Sequence, residues 1–458
     1  MRESDQRFGI DRNRLVKILM VAWYFPPTNT IAAVRLGKTA KYFHNAGHRI
    51  RVLSAQKLPF PENLPLELPA TQVIRTPWWD INRILRAMKS ILGDVRLSLT
   101  GPLRSTSPNK VSPDQVDSSP AILPPKRKRS RLIQLLDAAL NFPDSRVGWM
   151  PPAYRAGRKL IRQERPDVIF ASGPPFTTLL IGYLLSRRSN IPLVVEMRDR
   201  WSDDPYYPPP EFELKCHRWL EDKILGHARG ITTVSEPWAM TYAERYRKPV
   251  EVVYNGFDPE DFVMPTGDGW MEKNTLRIVY TGGIYPGRRD PSPLFEAIGG
   301  HDDLKSRVKV DFFGTQSEYV LPLAERFGIT NRVSVHPQIT HAEALKEQST
   351  SDVLLLMQWN DPKEQGNIPG KFFEYLAARR PILILGLEVG VPATIVRERG
   401  AGCCANTAAT ITDLLRGWIA QKKAHGFIAA LPTQILSGFS RSEQVARFEA
   451  FLEEICFS

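Results

Sequence analysis

Residues 351–381 read SDVLLLMQWNDPKEQGNIPGKFFEYLAARRP, which predicts a strand, a polar loop and a helix in that order. The apolar run SDVLLLM is typical of a buried strand, and apolar residues recur at helical spacing from Lys371 onward. A glycine-bearing loop before a helix start is an anion-binding device, because the free amides and the positive dipole end of the first turn favour a phosphate. Lys371 can meet a phosphate or sugar oxygen there. Glu374 can accept hydrogen bonds from two adjacent sugar hydroxyls.

The same stretch has a second interpretation. It can be a polar loop followed by an ordinary amphipathic helix, with Phe372 and Phe373 in the core and Glu374 solvated. The residues alone do not decide between the two.

Outward from this stretch, both halves of the chain alternate short apolar runs with helical patterns. Residues 15–25 predict a first buried strand, and a turn then leads to a helix over 32–46 that Gly47 ends. Such alternation is typical of a parallel sheet covered by helices, whose ligands bind beyond the C-terminal ends of the strands. Arg35, in the first turns of that helix, is either a phosphate ligand or an ordinary exposed arginine.

A strand end further along the first half carries charged residues. Residues 191–196 predict a strand that is followed by Arg198 and Asp199. At the ligand edge of a parallel sheet, Asp199 is a candidate base or substrate-orienting group. Its alternative role is to cap the following loop.

The second half restarts the pattern after a polar segment. Residues 276–281 predict a strand that runs into Gly282 and Gly283, and Arg288 and Arg289 lie in the next turn. Glycines after a strand allow close approach of the backbone to a ligand, and two arginines can neutralise a diphosphate.

The chain has 458 residues and a net charge of +12, and the excess is concentrated. Residues 78–131 hold 11 Lys and Arg against 4 Asp and Glu, a net of +7. This segment predicts a partly flexible insertion that lies on an anionic membrane surface or grips an acceptor; the alternative is a solvated excursion packed on the domain. No nucleic-acid motif accompanies the charge, so nucleic acid is not an expected partner.

The cysteines and the apolar runs bear on the location of the protein. The four cysteines have neither disulfide nor zinc spacing, which indicates a reducing compartment, and the adjacent pair Cys403 and Cys404 reads as small buried hydrophobic residues. The first 14 residues lack the apolar core of a secretory signal. No apolar run approaches the roughly 18–20 residues of a membrane span. We therefore expect a cytoplasmic protein, peripheral on the inner face of the plasma membrane if the insertion binds lipid.

Several stretches resemble family 4 glycosyltransferases. They are ILMVAWYFPP (18–27), NAGHRIRVLSA (45–55), TTVSEPW (232–238), VVYNGFDPEDF (252–262), VYTGGIYPGRRDP (279–291) and IPGKFFEYLAARRPIL (368–383). Each stretch is weak by itself, but as a set they are specific to this superfamily. They extend over residues 17–402 apart from 59–152, and the resemblance is strongest to members that build bacterial surface polysaccharides.

The resemblance implies an α/β fold of the GT-B type, with two Rossmann-like parallel-sheet domains facing a cleft. It also implies that a late helix, predicted over 439–454, crosses back onto the first domain. The expected divisions are an N-terminal tail (1–14), an acceptor domain (15–264), a linker (265–274), a nucleotide-sugar domain (275–436) and the crossing helix (437–458).

The resemblance also assigns roles to single residues. Glu374 matches the second glutamate of a paired motif and would hold the ribose hydroxyls of a nucleotide-diphosphate sugar. Gly283 matches the glycine that admits the phosphates, and either Arg288 or Arg289 matches the basic residue that grips them. Asp199 falls where the family places a catalytic-site histidine or aspartate.

One position departs from the family pattern. The first glutamate of the pair lies eight residues before the second, and Gly366 stands there. Glu364 is close but out of register. Asn367, Glu364 or a backbone group are the candidates to contact the donor sugar instead.

The implied activity is transfer of a sugar from a nucleotide-diphosphate sugar to a glycan or lipid-linked acceptor, with retention of configuration, in surface polysaccharide or glycolipid biosynthesis. Neither a cofactor nor a metal is expected, since arginines can carry the diphosphate charge and no spaced carboxylate pair is present. Asp203 and Asp204 are adjacent and read as solvated. The alternatives are a GT-B nucleotide-sugar epimerase or hydrolase, and a catalytically silent scaffold of a polysaccharide assembly.

Overall fold

A computed structural model of the chain describes residues 15–83, 138–206, 209–262 and 274–457. The predicted N-terminal tail, most of the predicted insertion and all but the last residue of the predicted linker lie outside the described residues.

The first domain is built on a parallel sheet of seven strands, in the order β3-β2-β1-β4-β5-β6-β7. Its central strands are fully buried because helices cover both faces. The strands are β1 (Lys17–Ala22), β2 (Arg49–Ala55), β3 (Val73–Thr76), β4 (Val168–Gly173), β5 (Leu193–Met197), β6 (Gly230–Thr233) and β7 (Val250–Val252). The helices are α1 (Ile31–Asn45), α2 (Met150–Glu164), α3 (Phe176–Ser189), α4 (Glu211–His227) and α5 (Glu236–Tyr246).

The second domain has a parallel sheet of six strands, in the order β10-β9-β8-β11-β12-β13. The strands are β8 (Leu276–Thr281), β9 (Val308–Phe313), β10 (Val333–His336), β11 (Val353–Met357), β12 (Ile382–Leu385) and β13 (Gly402–Cys404). The helices are α6 (Ser292–Gly299), α7 (Asp302–Arg307), α8 (Ser317–Arg326), α9 (His341–Ser349), α10 (Lys371–Ala377), α11 (Val391–Glu398) and α12 (Ala408–His425). The GT-B arrangement predicted from the resemblance is therefore present. None of the helices in the described ranges is long and apolar enough to span a membrane.

Local chemistry sets the ends of α1. The Thr30 side chain caps its start by accepting a hydrogen bond from the amide of Ala33 at 3.1 Å. Gly47 follows its end with a φ of +94° and donates its amide to His44. The predicted stop at Gly47 is confirmed, and a left-handed backbone there favours glycine.

The strand order of each sheet reverses at one point. The reversal lies between β1 and β4 in the first sheet and between β8 and β11 in the second. Loops that leave the C-terminal ends of these strand pairs diverge and open a crevice, which is where ligands bind in open α/β sheets. The predicted site loops after β8 and β11 flank such a reversal.

The last helix, α13 (Arg441–Phe457), crosses back onto the first domain. Phe448 packs against Phe43 of α1 and Phe170 of β4, with ring centroids 5.3 Å and 4.8 Å away. Phe451 lies so close to Gly230 that an added Cβ would be 2.6 Å from its ring. The crossing helix thus completes the core of the first domain.

The described segments on either side of the predicted insertion are held together. The Asn141 side chain donates to that of Asn82 at 3.0 Å. The amide of Trp79 donates to the carbonyl of Gly148 at 3.4 Å, and a Cβ on that glycine would meet the Trp79 carbonyl at 2.1 Å. The insertion is therefore rooted at one place, beside the C-terminal end of β3.

Arg35 is neither a phosphate ligand nor exposed, so both of our expectations for it are wrong. Its side chain is buried and pairs with the equally buried Glu196 at 2.7 Å. The remaining donors reach the carbonyls of Val253 and Tyr254 and the side chain of Asn255, at 2.8 to 3.0 Å. All five N–H groups of the guanidinium are thus used inside the protein.

Replacing Arg35 with Ala is expected to destabilise the first domain by about 3–5 kcal/mol, because it leaves the buried Glu196 carboxylate without its main partner. The change should appear as a lower urea midpoint in a denaturation curve followed by tryptophan fluorescence. Arg155→Ala, on the exposed face of α2, removes the same charge and serves as the control. Equal midpoints for the two variants would contradict the role given to Arg35.

Candidate active site

The turn after β8 brings unpaired amides to the reversal point of the second sheet. Gly282 has a φ of +106° and donates to the carbonyl of Phe313 at 2.7 Å. Among the described residues, the amides of Gly283 and Ile284 have no hydrogen-bond acceptor. Two successive free amides after a strand suit an anionic ligand.

Two cations flank this turn. Arg289 donates to the carbonyl of Gly283 at 3.3 Å, and Lys371 donates to the carbonyl of Thr281. The ammonium of Lys371 also lies 3.9 Å from the ring centroid of Tyr280, whose hydroxyl donates to Gly283 at 2.8 Å. The structure therefore brings together Gly283, Arg289 and Lys371, as the diphosphate prediction requires.

The charges and burial of this turn shift two pKa values. Burial lowers the pKa of Lys371, since a desolvated ammonium is disfavoured. Burial alone would raise the pKa of Tyr280, but the nearby charges of Lys371 and Arg289 outweigh it and hold that pKa below its usual value. The turn is thus an electropositive environment even inside the protein.

Arg288 lies apart from its neighbour. Its guanidinium stacks 4.2 Å from the ring centroid of Tyr206, in the first domain, and 4.7 Å from that of Trp359, in the loop after β11. The sequence did not settle which arginine meets the diphosphate turn, and the structure places Arg289 there while Arg288 joins the two domains.

Glu364 and Asn367 form a second link between the domains. Glu364 is only 1% exposed, and it accepts hydrogen bonds from the hydroxyl of Tyr206 and, at 2.9 Å, from the amide of Asn367. Burial raises the pKa of Glu364, because these neutral donors do not fully replace water. Both candidates for contacting the donor sugar are thus already engaged with each other.

Gly366 has no room for a side chain. A Cβ there would lie 2.1 Å from Nε1 and 2.2 Å from Cδ1 of Trp238, on α5 of the first domain. The position where the resemblance expects a glutamate is therefore filled by an indole from the facing domain, which gives a steric reason for the departure.

Glu374 is held on the adjacent helix α9. Its carboxylate contacts Nε2 of His341 at 3.0 Å and accepts from the amide of the buried Gln348 at 3.3 Å. Its side chain keeps 22% of its exposure, so the carboxylate still faces solvent. The hydrogen bond and charge of Glu374 raise the pKa of His341, with Asp261 adding to the effect and Arg441 opposing it.

The start of α10 is less open than predicted. The helix has seven residues, and the amides of Phe372 and Phe373 donate to the carbonyls of Pro369 and Gly370. Those two amides are not free for a phosphate, so that part of the prediction is wrong. The free amides of Gly283 and Ile284 offer the alternative.

Asp199 lies on the first domain, after β5, and its side chain is exposed. The surrounding protein raises the pKa of its carboxyl, and Arg198 opposes that effect. Within the described residues Asp199 makes no hydrogen bond, so it does not cap a loop there, and its catalytic role stays a prediction. Asp203 is not simply solvated, since it pairs with Arg218 at 2.6 Å.

One group of side chains within the described ranges is close enough to hold a metal ion, namely His48, Glu449 and Glu453. Nδ1 of His48 accepts from the amide of Val16 at 3.1 Å, so Nε2 carries the proton that it donates to Glu449 at 2.8 Å. A ring nitrogen that donates a proton has no lone pair for a metal. These residues therefore fit a structural contact rather than a metal site.

Sequence reasoning missed the aromatic residues of the site. Tyr206, Trp238 and Trp359 supply most of the contact between the domains. Tyr206 and Trp359 follow strand ends in polar loops, where a large aromatic residue has no core to fill, and that placement was an available signal.

Gly366→Ala is expected to cost about 1–3 kcal/mol of stability, because the added methyl group overpacks the contact with Trp238. In a double-mutant cycle with Trp238→Ala, the two losses should not add. Gly417→Ala is the control, since a Cβ at that helical position meets nothing within 4 Å. Additive losses in the cycle would show that the two residues are independent.

The comparisons with known proteins agree with this architecture. The model of Glycosyltransferase Family 4 matches residues 117–261, in the first domain, and no curated protein matches the chain. Sucrose-phosphate synthase from Thermosynechococcus elongatus is similar in structure, at 10% identity and a TM-score of 0.62, over 96% of this chain and 99% of that one. A glycosyltransferase from Rickettsia africae has 13% identity and a TM-score of 0.57, over 97% and 100%.

A third similar structure is a proposed UDP-N-acetylglucosamine 2-epimerase from Listeria monocytogenes, at 11% identity, a TM-score of 0.52 and 96% coverage of both chains. At such identities the likeness shows the fold and not the reaction. The family match lies outside the second domain, where the motif around Glu374 stands. With the GT-B fold over nearly its whole length and this match in its first domain, the chain belongs to the family 4 glycosyltransferases of GT-B fold.

Proposed function

We propose that the chain transfers a sugar from a nucleotide-diphosphate sugar to a glycan or lipid-linked acceptor. The observation that carries this proposal is the convergence of Arg289 and Lys371 on a turn with two free amides. A diphosphate is the ligand that such a turn can neutralise. Glu374, whose carboxylate faces solvent on the neighbouring helix, supplies acceptors for the ribose hydroxyls.

The same groups suit the chemical step. When the bond between sugar and diphosphate breaks, negative charge grows on the leaving phosphate, and fixed cations and amides stabilise that charge. Arg289 and Lys371 are positioned before the reaction by their bonds to backbone carbonyls, so little reorganisation is needed. A metal ion is not required for this role in our proposal.

Asp199 and the retention of configuration belong to the same proposal. Asp199 follows a strand end of the first domain and carries a carboxyl whose raised pKa suits proton exchange with an acceptor hydroxyl or orientation of the sugar. Retention rests on the resemblance to the family, as does the role in surface polysaccharide or glycolipid biosynthesis.

The silent-scaffold alternative has one observation in its favour. Gly366 and Trp238 exclude the first motif glutamate from the site. The retained cations and Glu374 favour an active enzyme, and nucleotide binding separates the two cases.

A thermal-shift panel with UDP, GDP, ADP, CDP, dTDP and their common sugars tests the donor site. A nucleotide at about 100 times its dissociation constant should stabilise the protein by roughly 2.7 kcal/mol, which is a shift of several degrees. Glu374→Gln should weaken the binding of the active nucleotide about tenfold. Glu318→Gln, exposed on α8, is the control. No shift with any nucleotide would favour the scaffold, and an unchanged affinity in Glu374→Gln would remove the ribose role.

We also propose peripheral attachment to anionic membrane through residues 78–131. Replacing the four basic residues of Lys126–Arg129 with Gln should reduce co-sedimentation with phosphatidylglycerol liposomes, because each contributes about 1 kcal/mol near an anionic surface. A matched variant replaces the exposed Arg155, Lys159 and Arg162 of α2 with Gln. If only the α2 variant loses binding, the membrane contact lies on α2 and not on the insertion.

A further inference from the structure

The C-terminal edge of the first sheet carries a group of residues that the donor site does not use. The loop after β1 presents Trp23 and Tyr24, and residues 141–149 return from the insertion across the same edge. This edge lies at the reversal point between β1 and β4. In a two-domain transferase, it is the place where an acceptor can meet the donor.

Arg146 lies at this edge without an acidic partner. Its guanidinium stacks 5.5 Å from the ring centroid of Trp23 and 5.6 Å from that of Trp78. No carboxylate oxygen of the described residues lies within 4.0 Å of it. The neighbouring Asp144 is spent on the amide and hydroxyl of Thr177, at 2.7 and 2.9 Å.

Arg198 adds a second cation that is only partly neutralised. Its side chain is 12% exposed, and its closest carboxylate is Glu196 at 3.9 Å. Glu196 already pairs with Arg35 at 2.7 Å, so one carboxylate serves two guanidinium groups. A half-buried positive charge without full compensation is costly, and an anionic ligand would relieve that cost.

Tyr24 lies between these two arginines in electrostatic terms. Burial raises the pKa of its hydroxyl, while the charges of Arg146 and Arg198 oppose that rise. Its ring packs edge-on against Phe60, with centroids 5.7 Å apart, so the cations sit next to an aromatic wall. The combination offers guanidinium forks for a charged group and ring faces for a sugar or an apolar chain.

We propose that this edge binds the acceptor through a phosphate group held by Arg146 and Arg198 beside Tyr24. The inference rests on the proposed transferase function and names the class of its acceptor, a phosphorylated one. Arginine suits this role because its planar fork makes paired hydrogen bonds to phosphate oxygens. The phosphate can belong to a soluble sugar phosphate or to a lipid-linked one.

Isothermal titration calorimetry with two phosphorylated probes tests the proposal. Glucose 6-phosphate represents the soluble source, geranyl phosphate the lipid source, and glucose and geraniol are their neutral counterparts. At least one phosphorylated probe should bind the full chain more tightly than its neutral counterpart. Arg146→Gln should weaken that binding about tenfold, the loss expected for one charge-assisted contact.

Matched variants separate a site from general charge. Arg146→Lys keeps the charge without the fork and should restore part of the affinity, whereas Arg155→Gln on the outer face of α2 should leave it unchanged. Nucleotide affinity should stay the same in Arg146→Gln, so failure of the donor site and failure of this site are distinguishable. The proposal is overturned if neither probe binds better than its neutral counterpart, or if Arg146→Gln binds as the wild type does.

Discussion

The buried pair of Arg35 and Glu196 is the interaction on which the first domain depends. It joins α1, β5 and the segment after β7, which lie far apart in the sequence, at the C-terminal edge of one sheet. Neighbouring guanidinium groups hold the pKa of Glu196 below its usual value even though burial opposes this. A charged carboxylate in the interior is tolerated only because every donor of Arg35 is satisfied.

This pair also determines the electrostatics of the edge above it. Glu196 accepts from Ser172, which in turn accepts from Arg198 at 3.0 Å. The carboxylate that neutralises Arg35 is thus shared with Arg198 through a hydroxyl, and positive charge remains toward the loops. The structural core and the electropositive edge are therefore parts of one network.

The fold could largely be predicted from the sequence, because it depends on local periodicity. The β/α alternation, the stop at Gly47 and the crossing of α13 all follow from patterns within a few residues or from the family resemblance. Helix α2 was missed because Pro151 and Pro152 were taken as an interruption, although they occupy its first turn, where proline is tolerated.

The site was predicted in part, and its failures have a common cause. Gly283, Arg289, Lys371 and Glu374 lie where strand ends and turns placed them. Arg35 was misjudged because its partners lie more than 160 residues away, and the burial of such a residue leaves no local trace. The contact of Trp238 with Gly366 likewise depends on how two domains meet.

The hydrogen bond between Asn82 and Asn141 has a consequence for how the protein tolerates change in length. Two chain ends that are already held side by side need only a closed connection, whose entropic cost grows slowly, by about 0.6 kcal/mol for each doubling of a flexible length. The sheet below does not register what connects them. This position is therefore a natural point for grafting, where related chains can exchange whole segments, or an experimenter can insert a reporter domain, without altering the fold that carries the chemistry.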